Sequence, residues 1–428
     1  MKNCLTYIAF SSLYSNYEHV EGEEVRERQD GQCPGVIVFT LIISPIAPPP
    51  NTLSMQNTVH SQYPSSPAAP HYVGDPDDIF GKLFANERQW RDRQLFLESK
   101  GYMLRPRLRP GWTPSWKTSK KSPLRCEDCL ALPARTHLVD ATAIASGKLV
   151  YIKRIQTGDL ESSIAVMLSN AALRADPRNH SVPVLDVFQD DEDPRISYMV
   201  MPFLRRMDSP EFETVGEVVD FVDQILEGLL FLHENGVAHR DCARPNLMMD
   251  ADRMYPSAFH PLKDRFLLDD ITTPTSYIPR SQTVVKYYFV DFGISSYIPS
   301  NSEEKLVFGV LGRDQEVPEL SNEVPYDPFK ADVFIIGNVL RREFHDVFHN
   351  VDFLAPLINA MTREEPNARL TAAAALAQWK DLKNSIPLYR QAVRVKKRDE
   401  QAILSAVLDT MHVANLAMRY IGWAMGLD

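Results

Sequence analysis

The stretch from Thr214 to Gly236 limits the fold more than any other part of this chain. Thr214 and Glu217 stand as T-x-x-E, a capping box in which a hydroxyl and a carboxylate satisfy the first orphan amides of a helix. Val218, Phe221, Val222, Ile225, Leu226, Leu229 and Leu232 then keep a period of 3.6 up to Gly236. The pattern predicts a long helix with one continuous apolar face. The residues just beyond Gly236, "VAHRDCARPN", are delivered from the end of that helix.

The block before that helix reads as β-rich. "HLVDATAIASGKLVYIKRI" alternates and then runs apolar, with Ser146 and Gly147 suited to a hairpin turn ahead of a strand from Leu149 to Ile155. Lys153 lies inside that strand, flanked by Ile152 and Ile155. In "DLESSIAVMLSNAAL", Leu160, Ile164, Met167 and Leu168 recur at helical spacing. Glu161 falls in the first turn, as a carboxylate favoured by the helix dipole or as a partner for Lys153. Two more strands are expected in "VPVLDVFQD" and "RISYMVMPFL", the second continuously apolar and therefore buried.

Further upstream, "DIFGKLFANERQWRDRQLFLESKG" predicts one amphipathic helix with Phe84, Trp90, Leu95 and Leu97 inward and Gly101 as its stop. The next segment interleaves Arg105, Arg107, Arg109, Lys120 and Lys121 with Trp112 and Trp116. Such a pattern suits a single-strand nucleic-acid platform. A net charge of -10 argues against that use and against binding to anionic membranes. The expectation is instead an irregular segment that packs its tryptophans on the adjacent domain.

At 428 residues, 44% apolar and 24% charged, the chain is long enough for two lobes or domains plus tails. Its five cysteines, Cys4, Cys33, Cys126, Cys129 and Cys242, make no dense framework and point to a reducing compartment. Cys126 and Cys129 form a lone CxxC without the further ligands that tetrahedral zinc needs. "LTYIAF" and "GVIVFTLIISPIA" are too short to span a bilayer. Pro45 to Pro76 is rich in Pro, Ser and Asn, the composition of a tail that cannot offset its ordering entropy, so Met55 or later is expected to begin the functional chain. At the other end, "AVRVKKRDEQAILSAVLDTMHVANLAMRYIGWAMGLD" predicts an amphipathic helix with Ile403, Val407, Met411, Leu416, Tyr420 and Trp423 along one broad side. Its default is packing on the larger lobe.

Five groups of residues succeed one another in a telling order. His239, Arg240, Asp241 and Asn246 stand as H-R-D-x-x-x-x-N, and Asp291, Phe292 and Gly293 come 45 positions after Asn246 behind a buried strand. Pro318 and Glu319 lie in "VPEL", Asp332 and Gly337 in "KADVFIIG", and Arg369 in "MTREEPNARL". From about Leu138 to Lys380 the chain resembles the eukaryotic protein kinase superfamily. Its flanks, among them "WRDRQLFLESKGYMLRPRLRPGW", "MYPSAFHP" and "VPYDPFKAD", resemble the expanded kinase-like families of mushroom-forming fungi.

That resemblance implies an α+β, bilobal kinase-like fold with a small β-rich N-lobe and a larger helical C-lobe. Together with the composition and periodicity above, it divides the chain into a disordered tail over 1–75, an extension over 76–137 that packs on the kinase domain, a kinase-like domain over 138–385 and a C-terminal amphipathic helix over 386–428. The residues between Asn246 and Asp291 would form a loop between two strands of the cleft. The implied reaction is transfer of the γ-phosphate of ATP to a Ser/Thr hydroxyl of a protein substrate, in the cytoplasm, with no nucleic-acid or membrane partner. Lys153 would hold the α/β-phosphates and Glu161 would orient it. Asp241 would take the hydroxyl proton, Asn246 and Asp291 would hold magnesium, and Met201, Phe203 and Leu204 would contact adenine. His239 and Phe292 would set backbone geometry, and Arg369 would pair with Glu319.

Three features depart from the pattern. No glycine-rich loop precedes Lys153. A basic residue is missing at Ala243, two after Asp241, so Arg244 is expected to supply the catalytic cation. From Glu303 to Leu320 there is no Ser, Thr or Tyr, which leaves Ser300 or Ser302 as the phosphosite that Arg240 would bind. The alternative is a pseudokinase scaffold with weak or vestigial nucleotide binding.

Overall fold

The computed structural model describes residues 80–135 and 137–424, with side chains as far as residue 418. The expected tail, its apolar runs, Cys4, Cys33, and the side chains of Tyr420 and Trp423 lie outside the described residues. The architecture is mixed α+β.

A five-stranded antiparallel sheet is built from β1 (Tyr102–Leu104), β2 (Leu138–Ala143), β3 (Leu149–Gln156), β4 (Asp186–Gln189) and β5 (Ile196–Pro202), in the order β1-β2-β3-β5-β4. The β2–β3 hairpin turns through Gly147 at φ +67°, where an L side chain would be strained. Strand alternation then sorts β3 by face. Val150 and Ile152 point into a cluster with Val139, Trp90, Leu97 and Leu104, while Tyr151 and Lys153 point to the opposite side. Behind β3, α3 (Leu160–Leu168) starts at Asp159, whose carboxylate accepts from Ser162 N–H at 2.8 Å, and buries Ile164 and Leu168.

The upstream helix is not continuous. It breaks at Arg93 into α1 (Ala85–Asp92) and α2 (Gln94–Ser99). Trp90 and Leu97 are buried as expected, but Phe84 and Leu95 face solvent, and Glu87 and Gln94 are buried instead. The reason lies in partners remote in sequence. The Arg107 guanidinium donates to both Glu87 carboxylate oxygens at 2.7 and 3.0 Å, and Gln94 Oε1 accepts from Leu104 N–H at 2.9 Å.

The tryptophans also differ from expectation. Trp112 and Trp116 meet edge to face at 6.3 Å and pack with Cys126 and Cys129 of their own segment, and Trp112 donates to Asp128 at 2.9 Å. Arg105 is buried against Asp140 at 2.7 Å and Glu127 at 3.2 Å. With Arg105 and Arg107 engaged internally, the interleaved pattern builds a folded cap rather than an exposed basic platform.

Chain connectivity leads through β6 (Arg205–Arg206) to α4 (Val215–Glu234). Thr214 Oγ1 accepts from Glu217 N–H at 3.2 Å, while Glu217 reaches back to Glu213 N–H at 2.7 Å, one residue earlier than a capping box predicts. Gly228 permits close approach: a Cβ there would lie 2.6 Å from His180 Cβ and 2.8 Å from the Phe289 ring. After β7 (Val237–Ala238) come β8 (Leu247–Asp250) and β9 (Lys286–Phe289), which pair with β6 in the order β6-β8-β9. Helices α5 (Pro328–Leu340), α6 (Ala355–Met361) and α7 (Ala372–Asn384) complete the large core with α4. The expected loop between strands runs over 251–285. Arg205 stands 4.4 Å from the rings of both Tyr255 and Phe259, and His260 reaches Glu127 at 3.1 Å.

His180 sits buried in this core with its Nδ1 2.8 Å from the Tyr287 carbonyl oxygen. Burial pushes its pKa down to about 4 although that hydrogen bond pulls the other way. The folded state therefore keeps His180 neutral where the unfolded chain takes up a proton. Its contribution is complete above the unfolded value near 6.5 and is lost as the pH falls towards 4. Urea unfolding is expected to show about 2 kcal/mol less stability at pH 5 than at pH 7 from this group, a difference that His180→Gln removes.

The last helix, α8 (Ala402–Ala424), corrects the expectation that its apolar side packs on the larger core. Ile403, Val407 and Met411 are 83%, 50% and 59% exposed. The side that docks carries Asp409 and His412 together with the half-buried Leu408: Asp409 pairs with Arg394 at 3.0 Å and Lys396 at 2.6 Å, and His412 Nε2 lies 2.8 Å from the Ala392 carbonyl oxygen. Among the described residues no helix is long and apolar enough to cross a membrane.

Candidate active site

A cavity of about 210 Å³ opens between the Tyr151/Lys153 face of the sheet and the stretch carrying Asn246 and Asp291. Lys153 projects into it because it occupies the face of β3 opposite the buried Val150 and Ile152. Its Nζ donates to Glu161, brought by the first turn of α3, and to Asp291 Oδ1 at 2.8 Å. Burial alone would lower the Lys153 pKa, but the Glu161 and Asp291 carboxylates outweigh it and hold the ammonium above its ordinary value. Asp291 is affected the other way. Burial raises it, yet Lys153 brings it below the usual carboxylate range. Burial holds Glu161 above its ordinary value despite Lys153.

Asp291 adopts φ +67°, a left-handed conformation that is uncommon outside glycine and recurs at functional sites. Gly293 makes room for it, since a Cβ there would stand 3.3 Å from Asp291 Oδ1.

The "HRD" stretch is held from below. Asp332 of α5, fully buried, accepts from His239 N–H at 2.7 Å, from Arg240 N–H at 2.6 Å and contacts His233 Nε2 at 3.0 Å. Arg240 is thereby kept at φ +65°. Asp241 emerges beside it, and Asn246 Nδ2 donates to both the Asp241 carbonyl and Oδ2 at 2.8 Å. His239 packs 5.1 Å from the Phe292 ring and its Nε2 lies 3.0 Å from the Val290 carbonyl oxygen. Arg369 meets Glu319 through two hydrogen bonds, at 2.6 and 3.1 Å.

Lys153, Glu161, Asn246, Asp291, Met201 and Leu204 all line the cavity. Two expected site residues are engaged elsewhere. Phe203 stacks on Tyr151 at 4.4 Å, and its N–H donates to the Leu149 carbonyl at 3.2 Å, so that amide is not available to a ligand. Arg244 pairs with Asp208 and, at 3.2 Å, with Glu343. The cation beside Asp241 is Arg313, whose N–H donates to Asp241 Oδ1 at 2.7 Å and whose Nε stands 3.6 Å from Oδ2. Nothing in its surroundings, "VLGRDQE", has a period or a motif that singles it out.

The β2–β3 turn engages its own amides: Ser146 and Gly147 N–H both donate to the Ala143 carbonyl, at 3.2 and 2.8 Å. Arg240 is bonded by neutral groups, the Phe308 carbonyl at 2.7 Å and the Tyr326 hydroxyl at 3.1 Å among them. Ser302 does not supply its partner and donates to the Glu304 carbonyl at 2.7 Å.

Among the described residues no group of three or more His, Cys, Asp or Glu could hold a metal by itself. The Asp291 carboxylate and Asn246 carboxamide are hard oxygen donors of the kind that bind magnesium together with phosphate oxygens. The chain matches no known protein-family model and no curated protein sequence significantly.

Proposed function

We propose that this chain is an ATP-dependent protein kinase with a bilobal kinase-like fold, which transfers the γ-phosphate to a Ser/Thr hydroxyl of a protein substrate. One observation carries the reading: Lys153, bridged to Glu161 and Asp291, lines the same cavity as Asn246, and Asn246 in turn holds Asp241. These groups come from β3, α3 and two separate loops, and a structural ion pair needs no such convergence.

Magnesium-bound ATP would supply the phosphoryl group and the neutralising cation. The protein's part is positioning. Lys153, kept protonated by its two carboxylates, presents its charge to phosphate oxygens. Glu161 holds the ammonium from α3 while Asp291 holds it from the other side. Asp241 is an acceptor for the substrate hydroxyl proton, and the Asn246 amide fixes its orientation. Met201 and Leu204 offer an apolar wall to a purine. Aligning the two reactants can contribute about 7–11 kcal/mol of the barrier reduction.

The second reading, a scaffold with vestigial nucleotide binding, is favoured by the β2–β3 turn, whose Ser146 and Gly147 amides are not free to cradle phosphates. Radiolabelled transfer from Mg-ATP by the full chain, to itself and to a mixed Ser/Thr/Tyr peptide set, separates the two. The kinase reading requires label on Ser or Thr. Absence of label, with Mg-ATP still raising the melting temperature, supports the scaffold.

A further inference from the structure

The exposed side of α8 is spaced for another helix. Leu404, Val407, Met411, Ala414 and Met418 succeed one another at intervals of 3, 4, 3 and 4 residues, the seam of a two-stranded coiled coil. Leu404, Val407, Met411 and Met418 are 51%, 50%, 59% and 62% exposed, and Ala414 is exposed as well. The residues that hold α8 to the protein, Asp409 and His412, lie on the other side of the helix, so this seam is not left over from a poorly seated inner face. Over its whole length, Ala402–Ala424, α8 has two charged residues besides His412: Asp409, which is neutralised inward by Arg394 and Lys396, and Arg419, which is not a seam position.

We infer that α8 is a self-association helix, and that its partner is α8 of a second copy of this chain. An uncharged seam offers nothing to a charged partner and no repulsion to its own copy, which suits an isologous two-fold contact. Two such seams together bury on the order of 1,000 Å², the size of a weak, reversible contact rather than of a permanent one.

Sedimentation equilibrium of the full chain from about 1 to 200 µM tests the proposal. A micromolar dimer is expected. The double variant Val407→Lys/Met411→Lys should weaken it about 100-fold, and Ala414→Leu, which fills the seam, should tighten it about tenfold. All substituted side chains are solvent-facing, and circular dichroism melting should be the same for each monomer. Sedimentation as a monomer throughout overturns the proposal, as does a dimer that the double variant leaves intact. A monomer that instead binds vesicles of phosphatidylcholine with about one fifth phosphatidylserine overturns it too, in favour of a membrane surface.

Discussion

Asp241→Ala is expected to reduce phosphate transfer by about 10²–10⁴-fold while leaving Mg-ATP binding within about threefold. The carboxylate is the acceptor for the substrate proton in the proposed reaction, and no neighbouring group replaces it. Lys153 is committed to Glu161 and Asp291, and Arg313 has only donors to offer. The loop should survive the substitution because Asn246 Nδ2 also donates to the Asp241 main-chain carbonyl at 2.8 Å, a bond that alanine keeps. Nucleotide affinity, read by thermal shift or calorimetry, is the control: a variant that loses both transfer and binding has lost the site's shape rather than its base. Transfer undiminished by the substitution would remove Asp241 from the proposed role.

Asp332→Ala should have the largest effect on stability, about 3–5 kcal/mol in urea unfolding. Its side chain is fully buried and accepts two backbone N–H groups and faces His233. Alanine leaves those donors buried without partners, at about 1–3 kcal/mol each. It also releases Arg240 from φ +65°, a conformation that persists only while its surroundings over-determine it. Asn in place of Asp keeps one acceptor oxygen and is expected to fall between. A midpoint unchanged in the alanine variant would show that the stretch around Asp241 is held by other contacts.

Both expectations rest on residues visible in the sequence, though not for equally local reasons. The long helix was legible because its cap and its 3.6-residue period are written in adjacent residues, and observed α4 runs Val215–Glu234. The β2–β3 hairpin was legible from Gly147 and from alternation, which also decides the face on which Lys153 lies. The break at Arg93 was not, because Glu87 and Gln94 are drawn inward by Arg107 and by the backbone of Leu104. A hydrophobic pattern cannot anticipate a buried polar residue whose partner lies elsewhere in the chain. Arg244 and Arg313 show the same limit within the site. Proximity in sequence favoured Arg244, but Asp208 and Glu343 hold it, and Arg313 reaches Asp241 from 72 positions away.

For α8, periodicity established an amphipathic helix and tertiary contacts decided which side is docked. Arg394 and Lys396 take Asp409, and the apolar seam is left outward. By itself the sequence determined where helices and strands begin, which residues share a face and which motifs stand in order, since these depend on neighbours a few positions apart. Only the tertiary structure decided which buried charges are paired, which cation stands beside Asp241 and which face of the last helix is exposed, because each of these is a choice among partners that chain connectivity leaves far apart.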